Sequence, residues 1–163
     1  MTWMTRTGLW VGLLLAACGT GPVDAQNLTG VSSVVIEVPD LSEKSRRCGL
    51  SASSLAGAAR ITLAQYPAAR VVEAEAQGIL GVYVSMADIR DDYCVGTLVV
   101  NLKRRVRAHL PDGTLGSSFV AQTWEGGKIL FGPEAGFGPR VNTAIEQAVK
   151  EFIAEWLKDN PKP

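Results

Sequence analysis

The stretch from Tyr93 to Leu110 constrains the fold of this chain more than any other part of the sequence. Successive side chains of a β-strand point to opposite sides of a sheet, so residues at a period of two share a face. The small or apolar set is Cys94, Gly96, Leu98, Val100, Leu102, Val106, Ala108 and Leu110. The alternate set, increasingly basic, is Val95, Thr97, Val99, Asn101, Lys103, Arg105, Arg107 and His109. The pattern predicts one long half-buried strand, with Arg104 at a β-bulge or at the rim of the core.

The first residues have the composition of an export signal. Arg6 supplies a short positive region, and the apolar run from Leu9 to Ala17 is too short to span a bilayer. Residues 15–18 (LAAC) resemble the bacterial lipobox, at which cleavage leaves Cys18 lipidated. Residues 23–25 (VDA) suit ordinary signal peptidase instead, with Gln26 as the first mature residue. We favour a signal of residues 1–17, because the lipobox follows the apolar run directly. A signal of residues 1–25 is the alternative, and a buried N-terminal helix is a third interpretation.

The cysteine count agrees with export. Either cleavage leaves two of the three cysteines, Cys48 and Cys94, as thiols. In an oxidising compartment two such thiols indicate one disulfide, and closing 94 − 48 = 46 residues is worth about 4 kcal/mol in the chain-entropy model. A redox pair or metal ligation is the alternative, but the sequence has no CxxC spacing and no histidine near either cysteine.

Length and charge favour one domain without a nucleic-acid partner. About 140 residues remain after signal removal, which is enough for one ordinary core. Residues 18–30 read as a flexible tether, followed by a single domain at residues 31–160. The 16 basic and 16 acidic residues balance, and 7% aromatic residues offer no stacking platform for bases. No apolar run after Ala17 reaches membrane-spanning length, so membrane contact is expected through the lipid anchor only.

The order of predicted elements indicates an α+β fold. Apolar periodicity and turn signals predict strands at 34–38, 70–76, 79–86, 93–110, 117–124 and 129–131, helices at 51–66 and 139–157, and turns at 88–92, 111–113 and 125–128. A right-handed crossover sets the first two strands parallel. The prediction is a mostly antiparallel sheet with two helices packed on one face.

The search for catalytic, metal or cofactor chemistry is negative. A single histidine, His109, leaves no His-based metal cluster and no relay with a second histidine. No serine sits in GxSxG. Carboxylate pairs such as Glu73 with Glu75 are expected to be solvated charges. The glycine-rich residues 132–138 match neither phosphate-binding pattern and are predicted to be a connection, with an anion site as the alternative. We expect no catalytic residue, metal ligand or cofactor.

One constellation stands out, the line of basic groups on a single strand face. Its members are Lys103, Arg105, Arg107 and His109. One interpretation is that Glu73, Glu75 or other carboxylates neutralise them across neighbouring strands. The functional interpretation is a docking surface for an anionic partner, namely a protein patch, a lipid head group or a cell-wall polymer. Trp124 is placed either on such a surface or in the core.

The sequence of elements resembles that of bacterial periplasmic accessory domains. The VVIEV first strand, the alanine-rich helix, the ARVVEAE strand and the YCVGTLVVNLKRRVRAHLPDGTLG hairpin follow one another in an exported chain. This order is similar to the N-terminal domain of the translocation protein TolB, to the curli secretion lipoprotein CsgG and to the lipoprotein activators of penicillin-binding proteins. The resemblance covers nearly all of the mature chain in element order and carries no diagnostic motif or disulfide pair. It implies a non-enzymatic envelope protein that binds another envelope component.

These observations predict a cell-envelope binding or assembly accessory module. We expect a lipoprotein in the periplasm, anchored to the outer membrane, with a soluble periplasmic or secreted protein as the alternative. Its partner is expected to be an envelope protein or an anionic envelope component, and the sequence leaves its oligomeric state open. The competing function is a small periplasmic enzyme or enzyme inhibitor that acts through a surface loop, either residues 132–138 or residues 88–92.

Overall fold

The computed structural model describes residues 28–66, 70–90 and 92–161, and of residues 88–90 and 108–109 it describes the backbone alone. The predicted signal, Cys18 and residues 18–27 of the tether lie outside the described residues. The elements follow in the order β1 (Ser33–Glu37), α1 (Glu43–Arg47), α2 (Ala52–Ala64), β2 (Arg70–Val71), β3 (Gly78–Arg90), β4 (Tyr93–His109), β5 (Leu115–Pro133) and α3 (Phe137–Asp159).

The five strands form one sheet in the order β2-β1-β3-β4-β5. β1 is parallel to β2 and to β3, whereas β3, β4 and β5 pair antiparallel. The antiparallel strands are the long ones, at 13, 17 and 19 residues. The predicted α+β domain with a mostly antiparallel sheet is therefore confirmed, including the parallel arrangement of the first two strands.

The helices pack on one face of the sheet and enclose the core with it. Ser51 caps α2 by accepting a hydrogen bond from the Ser54 amide, as its position before the apolar periodicity predicts. The fully buried core side chains include residues of α2, α3, β3 and β4: Leu55, Ala59, Leu63, Leu80, Val82, Leu98, Val100, Leu102, Val141, Ile145, Val149 and Phe152. The even-numbered face of β4 is thus buried up to Leu102, which matches the alternation in the sequence.

The disulfide between Cys48 and Cys94 is present and confirms the predicted pair. Its Cα atoms lie 6.0 Å apart, and both side chains are buried, at 3% and 1% exposure. Cys48 caps the C-terminus of α1, and Cys94 lies near the start of β4. The bond therefore joins the short first helix to the central strand.

Several element boundaries differ from the sequence-based expectation. The expected turn at 125–128 is absent, because β5 is continuous from Leu115 to Pro133 and pairs with β4 throughout. The strand expected at 70–76 is limited to Arg70–Val71, and the rest of that segment bends at residues 73–75, where Glu75 has a positive φ of 55°. The expected turn at 88–92 is shorter, because β3 continues to Arg90. The polar segment 40–47 includes helix α1.

The chain preceding β1 is also part of the fold. Leu28 is 2% exposed, and its amide donates to the Asp159 Oδ2 atom at 2.9 Å. Residues 28–30, which the sequence assigned to the tether, therefore contact the end of α3.

Candidate functional site

The face of the sheet opposite the helices carries the odd-numbered side chains of β3 and β4. No helix of the described chain packs on this face, and we call it the helix-free face. It ends in a two-stranded projection, because β3 begins with Gly78 opposite Arg104 and the residues of β4 beyond that point pair with β5 alone. We call this projection, residues 105–120, the arm. A bulge in β5 at Thr123, opposite Leu102 and Lys103, lies next to its base, near the position at which Arg104 predicted one.

The predicted basic line lies on the helix-free face and runs from the sheet into the arm. Lys103 stands opposite Gln122, Arg105 opposite Val120, and Arg107 opposite Ser118. The backbone of His109 pairs with Leu115, and its side chain is outside what the structure describes. The alternation in the sequence thus placed Lys103, Arg105 and Arg107 on the shared face on which they are found.

Lys103 is held in place by an aromatic side chain of the neighbouring strand. Its Nζ atom donates a hydrogen bond of 2.6 Å to the Tyr83 hydroxyl and lies 4.7 Å from the centroid of the Tyr83 ring. This hydrogen bond raises the pKa of the Lys103 ammonium above its ordinary value; burial opposes the rise, and the charge of Glu37 on β1 adds to it. Lys103 is therefore a fixed positive charge at neutral pH.

The carboxylates proposed to neutralise the basic line do not do so. Glu73 pairs with Arg60 of α2 at 3.0 Å, and the described residues offer Glu75 no ion pair. Arg105 and Arg107 form no hydrogen bond or ion pair within residues 28–66, 70–90 and 92–161. The carboxylate of Glu37 does affect the basic line, because its charge raises the pKa of Lys103. The two arginines of the arm thus present their full hydrogen-bonding capacity to solvent.

A chain of amides continues the polar surface at the base of the arm. Asn101 Nδ2 donates to Gln122 Oε1 at 3.0 Å, and Gln122 Nε2 donates to Glu125 Oε2 at 2.7 Å. Because the Glu125 carboxylate can only accept, it fixes the orientation of both amides. Asn101 is 6% exposed, and its Oδ1 atom has no hydrogen-bond partner among the described residues. Alternation alone placed Asn101 on this face, but it gave no indication that Gln122 and Glu125 of β5 stand beside it.

The two ends of the β4–β5 hairpin expose apolar side chains. Seven of the ten large apolar residues that the described chain exposes belong to this hairpin and its turn, so the exposed apolar surface of the described chain is concentrated there. They are Tyr93, Leu110, Leu115, Phe119, Val120, Ile129 and Phe131. Ile129 and Phe131 lie on the helix-free face at 74% and 68% exposure. Trp124, by contrast, faces the helices, with its ring 5.4 Å from that of Phe152, so it is not part of the helix-free surface.

The turn at the tip of the arm is built as the sequence predicts. The Gly113 amide donates to the Leu110 carbonyl at 2.9 Å, and Gly113 has a positive φ of 81°. The Asp112 carboxylate accepts hydrogen bonds from the side chain and the backbone amide of Thr114, which lower the pKa of this carboxyl.

The two loops named as alternative sites lie next to each other. Residues 132 and 133 belong to β5 and α3 begins at Phe137, so the connection is confined to residues 134–136. The Glu134 amide donates to the Asp92 carbonyl at 3.1 Å, and Arg47 of α1 lines the same shallow cleft. Within the described ranges no three His, Cys, Asp or Glu residues are placed to hold a metal ion.

Comparisons with known proteins identify no family. No protein-family model and no curated protein sequence matches the chain. Among solved structures, a dodecamer of a PelC variant from Paraburkholderia phytofirmans is similar, with a TM-score of 0.40 and 12% identity over 78% of this chain and 86% of that one. A likeness of this size carries no information on function. No described helix is both long enough and apolar enough to cross a membrane.

Proposed function

We propose that this protein is an exported binding or assembly module of the bacterial cell envelope, anchored to the outer membrane through a lipid on Cys18. In this proposal the arm and the adjoining helix-free face dock onto another envelope component. The module works by binding, and no catalytic residue or cofactor takes part.

The disulfide supports export. Disulfides form and persist in oxidising compartments such as the periplasm and are rare in reducing cytosol. Cys48 and Cys94 are bonded and buried, and the first 17 residues of the sequence have the charge and apolar run of a signal.

The observation that carries the docking role is that Arg105 and Arg107 are exposed and form no ion pair or hydrogen bond among the described residues. Two guanidinium groups stand on one face of a projecting hairpin without an intramolecular partner among the described residues. Arginine presents five donors in a planar fork that matches carboxylate and phosphate groups. Val120, which stands opposite Arg105 on the same face and is 60% exposed, adds apolar surface that a partner buries. Unpaired arginines beside apolar groups are typical of interface centres.

The direct test is crosslinking in cells with Arg105→Glu and Arg107→Glu combined. A photoreactive residue that replaces Ser118 of the arm is expected to capture the partner when Arg105 and Arg107 are present. The double charge reversal is expected to abolish this capture. The free energy of unfolding should change by no more than about 0.5 kcal/mol, because neither side chain is paired or buried.

The matched control reverses two cations away from the arm, Arg70 of β2 and Lys150 of α3. It alters net charge equally, so it separates a local surface from a general effect of charge. Capture should persist in this control. Undiminished capture by the Arg105 and Arg107 variant would contradict the docking role.

Anchoring is tested separately. Cys18→Ser is expected to move the protein from the membrane fraction to the soluble fraction. Several acyl chains on Cys18 would anchor the protein stably, and the variant carries none of them. Intact mass should show a lipidated chain that begins at Cys18. An unmodified chain that begins at Gln26 would replace this proposal with a soluble periplasmic or secreted protein.

A second candidate function is a small periplasmic enzyme or inhibitor that acts through the loop cleft. The observation that favours it is the backbone hydrogen bond from the Glu134 amide to the Asp92 carbonyl. This bond holds the two candidate loops side by side, next to Arg47. Asp92→Asn with Glu134→Gln should then abolish the cellular phenotype of the protein while capture at the arm is unchanged. A normal phenotype for this variant rejects the loop cleft.

A further inference from the structure

A cleft of about 510 Å³ opens at the base of the arm, beside the first residues of β3. Three consecutive cations of β4 line it, namely Lys103, Arg104 and Arg105, together with Gln77, Gly78 and Gly30. None of the described lining residues is acidic. The cations reach the same cleft from both sides of the strand because β3 begins only at Gly78 and leaves the edge of β4 open beyond Arg104.

Gln77 adds a neutral donor to this cleft. Its Oε1 atom accepts hydrogen bonds from the Ser32 amide at 2.6 Å and the Ser32 hydroxyl at 2.9 Å. A backbone amide can only donate, so the Gln77 amide orientation is fixed with oxygen toward Ser32. Its Nε2 group, like the Arg105 guanidinium, has no acceptor among the described residues. The cleft therefore concentrates hydrogen-bond donors and positive charge, which is the chemistry of an oxyanion site.

The cleft adjoins the point at which the tether enters the fold. Gly30 lines it, and Arg104 Nη1 donates to the Thr29 carbonyl at 2.9 Å. The tether ends there because the amides of Leu28 and Gly30 donate hydrogen bonds to the side chains of Asp159 and Asn160 at the end of α3. From Cys18 to Leu28 the chain has 28 − 18 = 10 residue steps. Ten steps span at most about 35 Å, whatever their conformation.

We infer that this cleft binds the phosphate of an anionic phospholipid head group in the membrane that carries the Cys18 anchor. The inference rests on the anchoring part of the proposed function. A lipidated Cys18 keeps the donor cleft within a tether length of head-group phosphates, so the local concentration of this ligand is high. Lysine and arginine near an anionic membrane surface each add to binding. Occupancy would turn the arm in a fixed direction relative to the membrane.

The test uses the mature protein purified from the envelope in a nonionic detergent. It is titrated calorimetrically with monomeric dihexanoyl phosphatidylglycerol, and in separate arms with dihexanoyl phosphatidylcholine and with inorganic phosphate. Phosphatidylglycerol should bind most tightly. Arg105→Gln should weaken it roughly five-fold, and Lys103→Gln with Arg105→Gln roughly 25-fold, from the contribution of each cation near a membrane surface.

The control is Arg140→Gln with Lys150→Gln, two exposed cations of α3 that do not line the cleft; it removes the same charge elsewhere and should change affinity less than about two-fold. An equal loss in the control, equal binding of phosphatidylcholine, or tighter binding of free phosphate would each overturn the assignment. Absence of phosphatidylglycerol binding to a chain with a lipid on Cys18 overturns the cleft and leaves the anchor intact. A chain that begins at Gln26 overturns the anchor, and with it the assignment to a membrane.

Discussion

At the scale of single residues, the helix-free face depends on a glycine. A Cβ atom at Gly81 would contact the Tyr83 ring and would lie 2.8 Å from Asn101 Oδ1. The ring of Tyr83 can therefore cover this backbone only because no side chain is present. The same ring positions the Lys103 ammonium through the hydroxyl. The geometry of the fixed cation thus traces back to the absence of a methyl group two residues before Tyr83.

We predict that Gly81→Ala destabilises the protein by about 1–3 kcal/mol, the usual range for overpacking. The added methyl group displaces Tyr83 and breaks its hydrogen bond to Lys103. The measurement is urea unfolding. Gly57→Ala in α2 is the matched control, because a Cβ there meets nothing within 4 Å and alanine favours a helix over glycine by about 0.5–1 kcal/mol. A Gly81 variant as stable as the unmodified protein would show that Tyr83 moves freely.

At the scale of elements, the disulfide secures the segment between the first helix and the central strand. We predict that replacing Cys48 and Cys94 together with alanine lowers the free energy of unfolding by about 2–5 kcal/mol, because the unfolded chain regains the freedom of a long loop. Denaturant unfolding of both forms measures the loss. The exported unmodified protein should show no thiol that reacts with an alkylating agent at these positions. Two alkylated cysteines in periplasmic protein would contradict the bond.

The strand β5 shows how far element prediction from this sequence can go. Alternation defined β4 and its two faces because burial acts on every second residue of one strand. Gly126 and Gly127 favoured a turn locally, yet both pair with β4 within a continuous strand. The reason is tertiary, since a Cβ at Gly126 would lie 2.9 Å from the Trp124 ring and one at Gly127 2.9 Å from the Leu98 carbonyl. These glycines admit neighbours that no local pattern reveals.

The candidate site was predictable to the same extent. Lys103, Arg105 and Arg107 were placed on one face from β4 alone. Tyr83, Gln77 and Glu37 could not be connected to them, because the register of β3 against β4 and of β1 against β3 depends on long-range pairing that no local pattern encodes.

At the scale of the whole molecule, the beginning and the end of the described chain are joined. Asn160 accepts a hydrogen bond from the Gly30 amide at 2.8 Å and donates to the Leu28 carbonyl at 3.0 Å. The Trp156 indole donates to the Val31 carbonyl at 2.6 Å. We call these contacts of residues 28–31 with the end of α3 the terminal clasp. It fixes where the tether leaves the domain, next to the cleft at the base of the arm.

We predict that Asn160→Ala opens the terminal clasp and costs about 0.5–1.5 kcal/mol, because the Gly30 amide loses its Asn160 acceptor and the Leu28 carbonyl keeps only the Val31 amide as a donor. Hydrogen exchange should accelerate at the amides of Gly30 and Leu28, while amides of β4 keep their protection, since the clasp lies outside the central strands.

Asn142→Ala is the control for this variant, because Asn142 lies on the same helix and bonds to Ser54 at 2.8 Å, away from the clasp. It should leave exchange at Gly30 unchanged. If the clasp orients the domain on its tether, Asn160→Ala should also weaken phosphatidylglycerol binding at the cleft, since Arg104 then loses the ordered Thr29 carbonyl that it contacts. Unchanged exchange at Gly30 in Asn160→Ala would show that Asp159 and Trp156 hold the clasp without Asn160.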